Sequence, residues 1–116
     1  MPGKVTRGTV VDVNLDPTVG HEIKKRRRCV VIQNDIGNRY SPLTIVAPIW
    51  GAEHCKKPYP VMAFVKAGEG GTTKDSYVLC NQIRTVDEQR LGVVHGKLTN
   101  QTMKAVDAAL RISLAL

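Results

Sequence analysis

Five consecutive cations, Lys24, Lys25, Arg26, Arg27 and Arg28, run directly into the apolar segment Cys29-Val30-Val31-Ile32. Charge runs are usually solvated, but this one ends on residues that read as a buried strand, so a rigid element carries its last members. A guanidinium fixed in direction at a strand end, as expected for Arg27, suits the extra negative charge of a pentavalent phosphorus. Metal chemistry has far less support. His54 and Cys55 are adjacent and cannot close a tetrahedral site, His21 and His95 stand isolated, and no Cys-x-x-Cys pair occurs. Neither a metal nor a cofactor is expected. The stretch Gly68-Glu69-Gly70-Gly71-Thr72-Thr73-Lys74 lacks the G-x-x-x-x-G-K-[ST] spacing of a phosphate-cradling loop and lies between two strands, so it reads as a β-loop. Of the cysteines, Cys29 and Cys80 sit inside apolar runs, where a thiol behaves as a small hydrophobe. Only Cys55 remains as a nucleophile candidate.

The elements that must position these groups are mostly strands. In Val5 to Leu15, the residues Val11, Val13 and Leu15 alternate with Asp12 and Asn14, the pattern of a half-buried strand that stops at Asp16-Pro17. Cys29 to Ile32 is a second strand, and Asn34 to Asn38 is turn chemistry closed by Ser41-Pro42. Leu43 to Trp50 is a third strand, with Pro48 expected at an edge or a bulge. Val61 to Val65 and Ser76 to Cys80 follow, joined by a hairpin-like turn at Gly68 to Gly71. Thr85 to Leu91 is expected to form one or two helical turns, and Val93 to Leu98 a last strand. From Asn100 onward Met103, Val106, Leu110 and Leu114 recur at helical steps, with Thr99 or Asn100 as the N-cap. A helix of roughly 15 residues spans about 22 Å. Ala105, Ala109, Ile112 and Leu116 form a second apolar strip, and a helix buried on two faces in so small a chain implies a symmetric partner. Strands followed by a terminal helix give a mostly-β, barrel-like α+β fold.

The 116 residues make one domain, 1–116, without room for a second core. Lys and Arg number 17 against 10 Asp and Glu, a net charge of +7 that favours a polyanionic partner. RNA, DNA, an anionic membrane face and an acidic protein all satisfy that balance. One Trp and one Phe are too few for a reader built on many stacking rings. No apolar run approaches the length of a membrane span, and the polar opening Met1 to Arg7 is unlike a leader. A soluble protein of a reducing bacterial cytoplasm, with no membrane partner, is expected.

Taken in order, the segments resemble the MazF/PemK/Kid toxins from about Arg7 to Leu116. Arg7-Gly8 is similar to the family's opening, and Asp16-Pro17-Thr18-Val19-Gly20-His21-Glu22 to its first loop. Arg27 with Cys29-Val30-Val31-Ile32-Gln33-Asn34-Asp35 resembles its second strand, and Thr44-Ile45-Val46-Ala47-Pro48-Ile49 its third. Asp75-Ser76 and Asn81-Gln82-Ile83-Arg84-Thr85-Val86-Asp87, with Arg90-Leu91, resemble its closing signature. Each piece is short; their order and spacing together are specific. The resemblance implies an SH3-like barrel of the CcdB/MazF type with a C-terminal α-helix, paired as a homodimer. It implies a sequence-specific, metal-independent endoribonuclease acting on single-stranded mRNA, and a cognate MazE-like antitoxin whose disordered, acidic C-terminal tail occupies the RNA groove. Arg27 matches the catalytic arginine, which stabilises the transition state and is a candidate to supply the proton, and Glu22 is the candidate base. His21, Arg7, Asn34, Ser76 and Gln82 match RNA-contacting positions, and Lys24 and Lys25 add phosphate attraction.

Three departures stand out. Trp50 replaces the Thr or Ser that the family carries beside the scissile phosphate, and an indole has one donor and no acceptor oxygen. It either stacks on a base or fills the phosphate pocket, the latter leaving a catalytically impaired relative that binds RNA or antitoxin only. Arg28 replaces the usual proline after the catalytic arginine. Asn81 stands where some relatives carry an acidic base. A CcdB-like gyrase inhibitor is the remaining alternative, and the end Ile112-Ser113-Leu114-Ala115-Leu116 lacks the aromatic tip that such a contact resembles.

Overall fold

The computed structural model describes residues 5–116; Met1 to Lys4, the start of the polar opening segment, lie outside them. The strands are β1 (Thr9–Asn14), β2 (Arg26–Val31), β3 (Leu43–Gly51), β4 (Met62–Val65), β5 (Ser76–Leu79), β6 (Arg84–Asp87) and β7 (Leu91–Lys97), with helices α1 (Asp35–Tyr40) and α2 (Asn100–Leu114). All pairings are antiparallel, in the order β4-β5-β3-β2-β1-β7, with β6 also on β3. The expected mostly-β fold with a C-terminal helix is therefore present.

The three central strands are buried on both faces. Val10, Val30, Ala47 and Ile49 face a core completed by Val65, Val78, Leu98 and the α2 residues Met103, Val106 and Ala109. Val11, Val13, Leu15, Cys29, Val31 and Val46 face a second core closed by Val86. Double burial explains why β2 reads as a continuous apolar run, whereas the alternation in β1 sorts residues between the two cores.

Three local expectations are corrected. Thr85 to Leu91 is not helical: β6 covers Arg84–Asp87, and a 3-10 turn follows at Glu88–Arg90. Val86 pairs with Thr44 and is buried in the second core, and one inward residue in a four-residue strand leaves no period to read. Asn34 does not merely start a turn. Its side chain accepts from Gly37 N at 2.8 Å and caps α1, whose interior glycine masks the helix in sequence. Pro48 sits in a central strand, paired with Cys29. The Ile45 carbonyl accepts from Ile32 on the β2 side and Ala52 N donates to Asp75 on the β5 side, so even-numbered residues of β3 turn their backbone away from β2. Pro48 thus presents its missing N–H to the break between β6, which ends opposite Val46, and β5, which begins opposite Ile49. The hairpin-like connection expected between β4 and β5 is present, the two strands pairing antiparallel, and it contains a 3-10 turn at Glu69–Gly71. Gly71 there has φ +76° and a Cβ would strike the His95 carbonyl, so only glycine lets this turn pack on β7.

The helix α2 is the element read most fully from sequence. Thr99 is its N-cap, accepting from Thr102 N at 3.2 Å. Met103 and Val106 are buried, and Ala109 joins them rather than the second strip. Ile112, Leu114 and Leu116 are exposed, so within one chain a single face of α2 is covered.

Candidate functional site

Arg27 lies on β2 opposite Val13 of β1, half-buried, with Val30 and Val31 of the same strand fully buried. Its Nε donates to the Lys24 carbonyl at 3.0 Å. The strand fixes its Cα and the loop carbonyl fixes its plane, leaving the terminal nitrogens for a ligand. The sequence expectation that this arginine is held by a rigid element is matched by position, although β2 begins three residues earlier than expected and carries Arg26 and Arg28 as well.

The loop between β1 and β2 is tied down at several points. Leu15 N donates to the Lys25 carbonyl at 3.0 Å, and Asp16 Oδ1 accepts from Lys25 N at 3.0 Å. Arg90 donates to the carbonyls of Asn14 and Asp16, and Arg84 to that of Leu15. Farther out, Gln82 Oε1 accepts from Ile23 N at 2.8 Å, and Glu22 Oε1 accepts from Val19 N at 2.6 Å. A cleft of about 230 Å³ results, lined by His21, Glu22, Ile23, Lys24, Arg27, Trp50, Leu79 and Gln82. Six of the residues expected at a site therefore meet in one place.

A second cleft, about 310 Å³, shares Arg27 and Trp50 with the first and continues along Arg26, Arg28, Glu53, His54, Thr72, Thr73, Lys74 and Ser76. Trp50 stacks on His54, with ring centroids 5.4 Å apart and planes 19° from parallel. His54 Nε2 lies 3.2 Å from Glu53 Oε1, and the same oxygen takes Lys74 Nζ at 2.8 Å. The hydrogen bond from Lys74 is the main reason the Glu53 carboxyl lies below the usual carboxylate range. Gly51 makes room for that carboxylate, since a Cβ there would collide with it. His95 and Asp12, 2.8 Å apart, bridge β7 and β1 at the rim of this cleft.

Not every expected residue joins the clefts. Arg7 donates to the Ile32 carbonyl and to Asp107 Oδ1, both at 2.7 Å, and Asn34 caps α1. Both lie beyond the end of β2 remote from Arg27, and their side chains are engaged in structural bonds. In the single chain they sit outside the groove expected for them. Lys25 is exposed, with φ +71°, and also lies outside both clefts. Ser76 is buried, lines the second cleft and donates to the Lys74 carbonyl at 2.9 Å.

Sequence reasoning missed Glu53, His54 and Lys74 as cleft residues, while Arg26 and Arg28 belong to the cationic run it singled out. In sequence His54 reads as an isolated neighbour of Cys55, and Lys74 lies 20 residues beyond it along the chain. Cys29 and Cys80 are buried in the core and hold no such role. Burial, followed by the nearby Asp12 charge, pushes the Cys29 thiol up to about 12. Cys80 is pushed up to about 11, again chiefly by burial.

Known proteins resemble this chain over almost its whole length. The family model described as "PemK-like, MazF-like toxin of type II toxin-antitoxin system" matches residues 6–114. Endoribonuclease EndoA of Bacillus subtilis (strain 168) is 46% identical over 112 residues, covering 97% of this chain and 96% of that protein. Among solved structures, MazF from Deinococcus radiodurans superposes with a TM-score of 0.82 at 23% identity, over 98% of this chain and 99% of that one. An endoribonuclease in complex with its cognate antitoxin, from Mycobacterial species, superposes with a TM-score of 0.79 at 20% identity, over 97% of this chain and 96% of that one. With a whole-length family match and a near relative at this identity, the chain belongs to the PemK/MazF family of type II toxin-antitoxin toxins.

Proposed function

We propose that this protein is the toxin of a toxin-antitoxin pair, a sequence-specific endoribonuclease that cuts single-stranded mRNA in the bacterial cytoplasm. RNA carries its own nucleophile, so cleavage needs no metal if the protein takes the 2′-OH proton, stabilises the phosphorane and protonates the leaving oxygen. The products are a 2′,3′-cyclic phosphate and a 5′-hydroxyl end. The observation that carries this reading is the placement of Arg27, oriented by the Lys24 carbonyl, in one cleft with Glu22, His21 and Gln82. Arg27 stabilises the transition state, Glu22 takes the proton, and His21, Lys24, Trp50, Ser76 and Gln82 hold the chain. Arg7, Asn34 and Lys25 remain proposed contacts only for RNA extending beyond the clefts. The chain pairs as a homodimer, consistent with the uncovered strip of Ile112, Leu114 and Leu116. A cognate antitoxin with a disordered acidic tail competes for the same cationic groove, which suits the net charge of +7.

The test is incubation of the purified protein with a mixed RNA pool in EDTA, followed by mapping of the ends. Cuts at one short motif bearing cyclic phosphates, and lost in Arg27→Ala, are expected. A second reading, an impaired relative that binds without cutting, is favoured by the Trp50 indole standing in the wall of both clefts. RNA binding without cleavage by the parent protein, with cleavage gained in Trp50→Thr, would select it.

A further inference from the structure

We infer that Trp50, Tyr77 and Phe64 form a platform on which the RNA stacks unpaired bases flanking the cut. The inference rests on the nuclease reading and adds the path the substrate takes beyond the clefts. The chain has one Trp, one Phe and three Tyr. These are too few for a surface of many rings, yet the register gathers three of them into one line. Tyr77 of β5 stands opposite Trp50 of β3 on one side and opposite Phe64 of β4 on the other. Residues directly opposite in antiparallel strands project from the same face. The intervening Ile49, Val78, Ala63 and Val65 turn into the core under α2, so the three rings point away from it. The Phe64 and Tyr77 ring centroids are 5.7 Å apart, edge to face, and Phe64 is 48% exposed. Two strand spacings, about 10 Å, separate the start of the row from its end.

The row begins at the clefts. Cys29 pairs with Pro48. Two residues beyond that pair, Arg27 of β2 and Trp50 of β3 lie on its face of the sheet, and both line both clefts. His54 is stacked on the indole and fixes the first ring of the row. A chain with a phosphate on Arg27 that leaves over Trp50 therefore meets Tyr77 and then Phe64.

Charge favours the same occupant. Arg26, Arg28 and Lys74 line the larger cleft at the Trp50 end, and the two carboxylates there are engaged, Asp12 by His95 and Glu53 by Lys74. At the far end Lys66, two residues on from Phe64, is exposed and forms no ion pair among the described residues. An acidic tail would call for the cations alone, and an apolar partner for the rings alone. Rings in a line with cations at both ends suit unpaired nucleotides, whose bases stack while their phosphates stay near positive charge. Every base has a π-face, so such a platform adds affinity with little choice of base, and the cleavage motif is read elsewhere.

The test uses the whole protein and RNAs that carry the cleavage motif found by end mapping, lengthened by three nucleotides on the 5′ or the 3′ side. Each is made with ordinary bases in the added segment and again with abasic nucleotides, which keep length and phosphates equal. On one side the parent should show a KM roughly tenfold lower with bases than without, at similar kcat, as binding shared by ground and transition states requires. Phe64→Thr and Tyr77→Thr, which keep strand-forming residues on an outer face, should bring that ratio close to one, and Phe64→Tyr should retain it. Because each variant is compared with itself on paired RNAs, a general loss of folded protein does not mimic the result. A parent ratio near one on both sides overturns the platform. So does a parent-like ratio in both threonine variants, which would leave the row to a protein partner. A change from dimer to monomer in either variant on sizing would assign the row to the subunit contact and overturn it too. A parent that cuts no RNA overturns the nuclease reading; affinities for the same RNAs with a 2′-deoxy sugar at the cut then decide the platform by the same ratio.

Discussion

Replacing Arg27 with alanine and with lysine separates charge from geometry at the centre of the site. A guanidinium has five N–H donors, and one of them, on Nε, is spent on the Lys24 carbonyl at 3.0 Å. In the proposed reaction the four on the terminal nitrogens serve two oxygens of the phosphorane. Removing one preorganised donor of this kind typically costs about 2.7–4 kcal/mol, or roughly 10²–10³ in kcat. Arg27→Ala loses the whole fork, so a loss at the upper end, about 10³-fold, is expected. Arg27→Lys keeps the charge, but a single ammonium cannot satisfy the Lys24 carbonyl and grip two oxygens together. Its kcat should fall roughly 10–100-fold, between the parent and the alanine variant. Binding should respond differently. If Arg27 neutralises one phosphate, Arg27→Ala should lower the slope of log affinity against log salt by about 0.7, the value for one single-strand contact. Arg27→Lys should leave that slope unchanged. Single-turnover cleavage of a short fluorescent RNA in EDTA, with salt titrations of binding to a non-cleavable 2′-deoxy analogue, reads both quantities. An alanine variant within about threefold of the parent kcat would refute the reasoning, as would a lysine variant no better than alanine.

Gln82 pins the loop between β1 and β2 through its bond to Ile23 N at 2.8 Å. Gln82→Leu, similar in volume but without the acceptor, should loosen residues 19–25 in hydrogen exchange, cost about 1 kcal/mol of stability and reduce cleavage. Gln82→Glu keeps the acceptor and should retain the loop's protection; equal loss in both variants would break the link between this bond and the loop. A second prediction concerns acid. Glu69 accepts from Thr99 N and Thr99 Oγ1 at 2.8 and 3.0 Å, joining the turn before β5 to the start of α2. Its burial raises the carboxyl, but hydrogen bonds from Thr99 and Thr102 outweigh this and hold it below its ordinary value of 4.5. A carboxyl depressed in the folded state contributes stability above its unfolded value and loses it as pH falls through its folded value. The Tm difference between the parent and Glu69→Gln should be present at neutral pH and shrink below about pH 4.5. A difference that widens in acid would reverse the sign and sink the assignment.

How far the sequence could be read depended on how many residues carried each signal. The α2 helix announced itself because its buried positions repeat over three turns and a threonine caps it. β1 was legible because Val11, Val13 and Leu15 all face one core. β6 was not, because a four-residue strand with one fully buried residue offers no repetition, and its place is decided by β3 alone. The same limit governed Arg7 and Asn34. Both were read as RNA contacts from the order of motifs, yet the folded chain uses Arg7 to join the β2 end to Asp107 and Asn34 to cap α1. A motif identifies a residue's neighbours along the chain; which polar partner holds its side chain is settled by tertiary packing.

Trp50 and His54 show why the chemistry was harder to see than the fold. Four residues apart in what reads as a strand running into a loop, they have no fixed relation in sequence. The spacing brings side chains together on a helix, not on an extended strand. The 3-10 turn at Ala52–His54 folds the chain back so that the imidazole lies against the indole, and Gly51 leaves space for the Glu53 carboxylate beside it. Taken alone, Trp50 looks like the loss of a hydroxyl from a phosphate site. With the turn in place it is one half of a stacked pair that brings a titratable ring to the wall shared with Arg27. Comparing Trp50→Thr with the same change made beside His54→Ala therefore separates the returned hydroxyl from the lost stack. Trp50→Thr alone adds an oxygen at the proposed phosphate site but takes away the ring on which His54 stacks.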